Sequence, residues 1–254
     1  MPPREGIRLE HVLDSAVSTS LDGQPIVHAV MSKWSQRPAR GIIFDFNGTL
    51  SNDEPILEQI FTGLFRDHLG WAMSAHEYTT RLLGRSDREI VEFAVREHGS
   101  GEVSLVERLL TLRSEKYREI VATESPITSG VLDLVRLLHN AAVPMAIVTG
   151  AQRADVRAVL DNSEVGAMIP VLVAEEDVTR GKPDPEGFLI AADLLGLQPA
   201  DLLVFEDSIP GAAAAANAKM TCIAVSDGPS DALTSTVAAH VTTLDSRILT
   251  NVVL

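Results

Sequence analysis

The chain has 254 residues, 45% of them hydrophobic, enough for one large domain or for a core with a smaller insertion, and this excludes global disorder. A net charge of −14 argues against general nucleic-acid or anionic-membrane binding. The lone cysteine, Cys222, excludes an internal disulfide or a cysteine-built metal site, and no apolar stretch nears the roughly 20 residues that span a membrane; with no secretory-type apolar core at its start, a cytoplasmic protein is expected.

In chain order, residues 1–39 have mixed polarity and form an N-terminal extension of unknown role, with a short helix predicted at Leu9–Val17 and a short strand at Ile26–Met31. Apolar runs then predict strands at 41–45, 144–149, 170–174, 201–205 and 221–225, the last containing Cys222 as a buried residue. Helical patterns at 130–141, 151–161, 185–195 and 210–218 fall between them. Short apolar strands alternating with helices predict a parallel sheet covered on both faces. The block 55–124 breaks the rule: Ile56–Leu69, Ala75–Leu83, Asp87–Glu97 and Val103–Val121 read as helix after helix. The α/β core is therefore expected in 40–54 and 125–254, with 55–124 inserted as a helical unit.

Four strand ends carry chemistry. Ile42-Ile43-Phe44 ends in Asp45 just before Gly48, and a carboxylate at the mouth of a parallel strand can attack an electrophile or hold a cation. Ala146-Ile147-Val148 ends in Thr149-Gly150; a hydroxyl and backbone N–H groups there suit phosphate oxygens, and a structural helix cap reads the same way. In Gly181-Lys182-Pro183-Asp184-Pro185, two prolines and a glycine fix a turn around Lys182. An ammonium so placed can neutralise both Asp45 and an incoming phosphoryl group. Leu202–Phe205 ends in Glu206-Asp207, adjacent acids that are costly to bury without a cation and whose hard oxygens suit magnesium.

These four strings, in this order, resemble the motifs of the haloacid dehalogenase-like superfamily: Asp-x-Asp-Gly-Thr-Leu, an apolar run ending in Ser or Thr, Gly-Lys-Pro-x-Pro, and an acidic pair before a small-residue helix. The resemblance covers roughly residues 40–230. It implies a Rossmann-like α/β core, with 55–124 as the small helical cap of the beta-phosphoglucomutase-like branch. It also implies a Mg2+-dependent hydrolase acting on a small phosphorylated metabolite, such as a sugar phosphate, through an aspartyl-phosphate on Asp45. Thr149, Gly150 and Lys182 would serve the phosphoryl group, and Asp45, Asn47 (through its backbone carbonyl), Glu206 and Asp207 would hold the metal. Leu83-Gly84-Arg85-Ser86-Asp87-Arg88-Glu89 resembles the cap loop that closes over the site, so Arg85 or Arg88 could reach a distal phosphate; a solvated helix start reads equally well. A monomer or homodimer is expected.

One letter departs from the pattern. Asn47 stands where the family has its second aspartate, the general acid/base. An amide neither gives nor takes a proton near neutrality, and general acid–base help is worth about 10²–10⁴-fold. The chain is then expected to be a specialised phosphotransferase or slow phosphatase whose substrate has a good leaving group or supplies its own proton. Alternatives are a substitution that traps an intermediate, a sugar-phosphate mutase, or a phospholigand-binding protein with impaired turnover. A phosphonate-hydrolase route would want a cap lysine, and the only one in 55–124, Lys116, lies late in a helix.

Overall fold

The computed structural model describes residues 24–83, 85–99, 101–228 and 230–254; the helix expected at Leu9–Val17 lies outside them. Six short strands form one sheet: β1 (Gly41–Phe44), β2 (Met145–Val148), β3 (Val171–Val173), β4 (Leu202–Glu206), β5 (Thr221–Val225) and β6 (Ala239–Val241), in the spatial order β3-β2-β1-β4-β5-β6. Every pairing is parallel. The chain runs one way from β1 to β3 and then returns to β1's other side for β4, which opens a crevice at the carboxyl ends of β1 and β4.

The side chains of β1 alternate between two apolar layers, as a doubly covered sheet requires. Ile42 and Phe44 join Leu134 and Leu138 of the Ser129–Asn140 helix and Val156 and Val159 of the Arg153–Leu160 helix. Ile43 faces the other way, onto Phe188, Ala191 and Ala192 of the Glu186–Leu195 helix and Ala212, Ala214 and Ala215 of the Ile209–Asn217 helix. The alanines let that last helix lie close on the sheet, and Cys222 is buried in the same layer as a free thiol.

Ile26–Met31 is not a strand. It lies in a helix, Gln24–Ser35, that buries Val27, Met31 and Trp34 against the first layer. Those three positions follow the i, i+4, i+7 spacing of one helical face. Trp34 Nε1 also donates to the Gly41 carbonyl at 3.1 Å, fixing the helix to the start of β1. No helix among the described residues is long and apolar enough to cross a membrane.

Between β1 and β2 the described chain is helical. Glu54–Leu69, Asp87–His98 and Val103–Val121 pack around Phe61, Phe65, Trp71, Tyr78 and Phe93. The predicted Ala75–Leu83 helix is one α-turn, Ala75–Glu77, closed by a Ser74/Glu77 capping box and continued by a π-turn, Tyr78–Leu82. A buried ion pair ties this helical unit to the α/β core. Arg113, on Val103–Val121, pairs with Asp155 on Arg153–Leu160 and, through Nε at 2.9 Å, with Asp87; Ser114 Oγ also donates to Asp155 at 3.0 Å.

Removing one partner of a buried pair strands the other charge, at a cost of about 3–5 kcal/mol. Arg113→Ala should therefore lower unfolding stability by that order in urea titrations. The double variant Arg113→Met/Asp155→Ala should recover most of the loss, because the fully buried carboxylate goes with its partner and the one left behind, Asp87, is only half-buried.

Candidate active site

Three neighbouring strands deliver side chains to one edge of the sheet. Phe44 pairs with Ile147 on one side and Phe205 on the other, and the Phe44 and Phe205 rings stack at 5.5 Å. The residues that follow, Asp45, Thr149, Glu206 and Asp207, therefore emerge together. They line one cavity of about 750 Å³ with Asn47, Gly150 and Lys182, closed from the helical unit by Glu54, Arg85, Asp87, Arg88 and Arg113.

Lys182 is the charge centre. Its ammonium bonds Asp45 Oδ1 and, at 2.6 Å, Glu206 Oε1. Burial alone would lower its pKa, but the two carboxylates outweigh burial and hold it above its ordinary value. Glu206 is fixed from the other side as well: its second oxygen accepts from Ser208 N at 2.6 Å and Ser208 Oγ at 2.9 Å. This geometry needs Gly211, where a Cβ would lie 1.7 Å from Glu206 Oε1. Gly48 serves Asp207 likewise: its φ of +73° is left-handed, and a Cβ there would meet Asp207 Oδ2 at 2.2 Å.

The acids match a hard cation. Asp45, Glu206 and Asp207 can each place one oxygen within 4.8 Å of the others, and three carboxyls face one ammonium. Burial pushes the Asp45 carboxyl up to about 7, with Lys182 opposing and Glu206 adding to the rise. Burial, then Asp45 and Glu206, push Asp207 well above the ordinary carboxylate range. A divalent cation relieves this repulsion and suits such oxygens. Because Glu206 uses one oxygen on Lys182 and the other on Ser208, Asp45 and Asp207 are the freer ligands.

Thr149 is buried at the end of β2, and its Oγ1 accepts from Ala151 N at 3.0 Å. Its own proton remains available to the cavity. Space is open around Gly150, with nothing within 4 Å of where a Cβ would stand.

Asn47 is held by its amide nitrogen. Nδ2 donates to Asp53 Oδ2 at 2.6 Å, and the Tyr117 hydroxyl donates to the same oxygen at 2.6 Å. Asp53 is fully buried at the N-cap of Glu54–Leu69, yet its side chain makes no cap bond. Burial raises its pKa, with the Tyr117 and Asn47 bonds opposing. Sequence reasoning missed Asp53 and Tyr117, because an acid before a helix reads as an ordinary cap.

The two arginines near the start of the Asp87–His98 helix differ. Arg88 is exposed and pairs with Glu107 at 2.8 Å and Glu92 at 3.8 Å. Arg85 lies over the Phe93 ring, 5.3 Å from its centroid. Lys116 lines a separate groove of about 660 Å³ between the Glu54–Leu69 and Val103–Val121 helices, away from Asp45.

Residues 39–219 match the family model of the haloacid dehalogenase-like hydrolases. The chain belongs to this family. It is 28% identical over 182 residues to validoxylamine A 7'-phosphate phosphatase of Streptomyces hygroscopicus subsp. limoneus, covering 71% of this chain and 83% of that protein. Hexitol phosphatase A of Escherichia coli (strain K12) is 30% identical over 204 residues, covering 76% of this chain and 85% of that one. A putative beta-phosphoglucomutase from Thermotoga maritima superposes with a TM-score of 0.68 at 23% identity, over 83% of this chain and 96% of that one. The likenesses fit the beta-phosphoglucomutase-like branch of the family.

The Asn47–Asp53 contact predicts a substitution pattern. Asn47→Asp alone replaces the amide donor with a second carboxyl oxygen and leaves Tyr117 alone to donate to Asp53, so it should cost about 1–3 kcal/mol in urea unfolding. Exchanging the two, Asn47→Asp with Asp53→Asn, restores one donor and one acceptor and should return most of that stability.

Proposed function

We propose that the chain is a Mg2+-dependent phosphatase of a small, polyhydroxylated phosphomonoester, working through an aspartyl-phosphate on Asp45. The observation that carries this reading is the Lys182 ammonium bridging Asp45 and Glu206 at the carboxyl ends of adjacent strands, inside a cavity that Thr149 also lines. The relatives named for hexitol and validoxylamine phosphates support the substrate class.

On this reading Asp45 attacks phosphorus as the bond to the leaving oxygen breaks. Lys182 favours the ionised nucleophile against the effect of burial and offsets charge on the phosphoryl group. The Thr149 hydroxyl and the Gly150 backbone hold phosphoryl oxygens, and the open space at Gly150 admits them. Asp45, Asp207 and Glu206, with the Asn47 backbone carbonyl, would hold the cation, which supplies charge neutralisation when bound. Residues 55–124 act as a cap, and Arg85 contacts the distal part of the substrate more readily than the ion-paired Arg88.

A panel of sugar and polyol phosphates, assayed for phosphate release with Mg2+ and with chelator, tests this reading. Release should require Mg2+, and Asp45→Ala should abolish both turnover and phosphoryl labelling of the protein. Interconversion of sugar-phosphate isomers without release would identify a mutase. Tight binding across the panel without release or labelling would identify a binding protein.

A further inference from the structure

We propose that Glu54, the first residue of the Glu54–Leu69 helix, is the proton donor and acceptor for the leaving group, the role the Asn47 amide cannot fill. The inference rests on the phosphatase reading above and assigns the proton path within it.

Glu54 lines the same cavity as Asp45, Asn47, Lys182 and Asp207, but from the first turn of a helix rather than from a strand end. A leaving group bound beyond the phosphoryl would share this cavity with Glu54. The Tyr78 hydroxyl donates to Glu54 Oε2 at 3.0 Å, which fixes the carboxyl while its other oxygen remains for the cavity. Tyr78 is brought there by the π-turn, an irregularity that often marks working sites.

The other carboxyls of the cavity are committed. Asp45 and Glu206 bond Lys182, and Asp207 completes the acidic cluster. Asp87 pairs with Arg113, Asp184 with Arg180 and Glu92 with Arg88. Glu89 caps its own helix at Ser86, and Glu175 is exposed at the rim. Glu54 is instead held by a neutral hydroxyl.

Its surroundings favour a carboxylic acid. Burial raises its pKa, Tyr78 opposes, and Asp53, Asp87 and Glu58 add to the rise. Asp207 also lies near enough for the two carboxyls to repel. Arg113 pairs with Asp87 and offsets part of its charge, and the positive end of Glu54's own helix works in the same, opposing direction.

In the first step the Asp45–phosphorus bond forms, the phosphorus–oxygen ester bond breaks, and the departing oxygen takes the Glu54 proton. In the second step the Glu54 carboxylate takes a proton from water as that water's oxygen attacks phosphorus and releases Asp45. Glu54 ends protonated, and the products are an alcohol and phosphate.

The test compares an alkyl ester, 2-glycerol phosphate, with an aryl ester, 4-nitrophenyl phosphate, whose leaving group departs with little help. Glu54→Gln should lower kcat about 100-fold or more on the alkyl ester and less than about 10-fold in phosphorylation of Asp45 by the aryl ester. The alkyl pH profile should fall as pH rises through the Glu54 pKa, and Glu54→Gln should lose this limb while Glu54→Asp retains it. Equal losses on both esters, or the same limb in Glu54→Gln, would overturn the proposal. Failure of the parent chain to label Asp45 with the aryl ester would overturn the phosphatase reading itself, and this proposal with it.

Discussion

The Lys182 ammonium is the constraint on which the site depends. Asp45 and Glu206 leave adjacent strands whose register is fixed by the Phe44 and Phe205 pairing, so their carboxyls meet whether or not charge favours it. One buried cation between them makes that meeting tolerable, and the Gly181–Pro185 turn exists to hold it there. Glu206 cannot swing away, because Ser208 holds its other oxygen and Gly211 leaves no room for a side chain. The sheet sets the positions, Lys182 sets the charge, and the negative charge left over suits a hard divalent cation.

The second constraint is polar and crosses from the core to the helical unit. Asn47 gives its N–H to Asp53, Asp53 also accepts from Tyr117, and the Tyr117 ring lies 4.8 Å from the Arg113 guanidinium. Arg113 in turn bonds Asp155 on a core helix. Arg113 and Tyr117 are four residues apart and so share one face of their helix. A buried polar line of this kind is not a cheap source of stability; breaking any member strands the others. What it specifies is how the helical unit sits over the strand ends.

Much of this was legible in the sequence because the chemistry sits where apolar runs stop. Asp45, Thr149, Glu206 and Asp207 each follow a short buried run, and the prolines and glycine around Lys182 announce a fixed turn. Two short elements were misread for opposite reasons. Ile26–Met31 is dense enough in apolar residues to pass for a strand, while its helical spacing emerges only when Trp34 is included. Ala239–Val241 was overlooked because three residues with a histidine at the centre carry almost no pattern, and pairing with β5 alone makes them a strand. Asp53, Glu54, Tyr78 and Arg113 were hidden differently. Each is an ordinary residue for its local position, and only the fold brings them to Asn47 and the cavity.

Position 47 shows why a motif is best judged with its partners. Read alone, the amide is a lost acid. In the structure it has an acceptor of its own, buried at the N-cap of the helix that begins with Glu54. Asp53 gives up the capping bond that its place in the helix offers, and Pro55 in the first turn removes one N–H that such a bond could have served. The helix start is thus built around the amide rather than around its own backbone. The next residue, Glu54, lines the cavity, and the buried Tyr78 donates to its Oε2. A carboxyl absent from the core loop and a carboxyl presented by the adjoining helix are linked through a single side chain, Asp53, so a change at either end must be read through it.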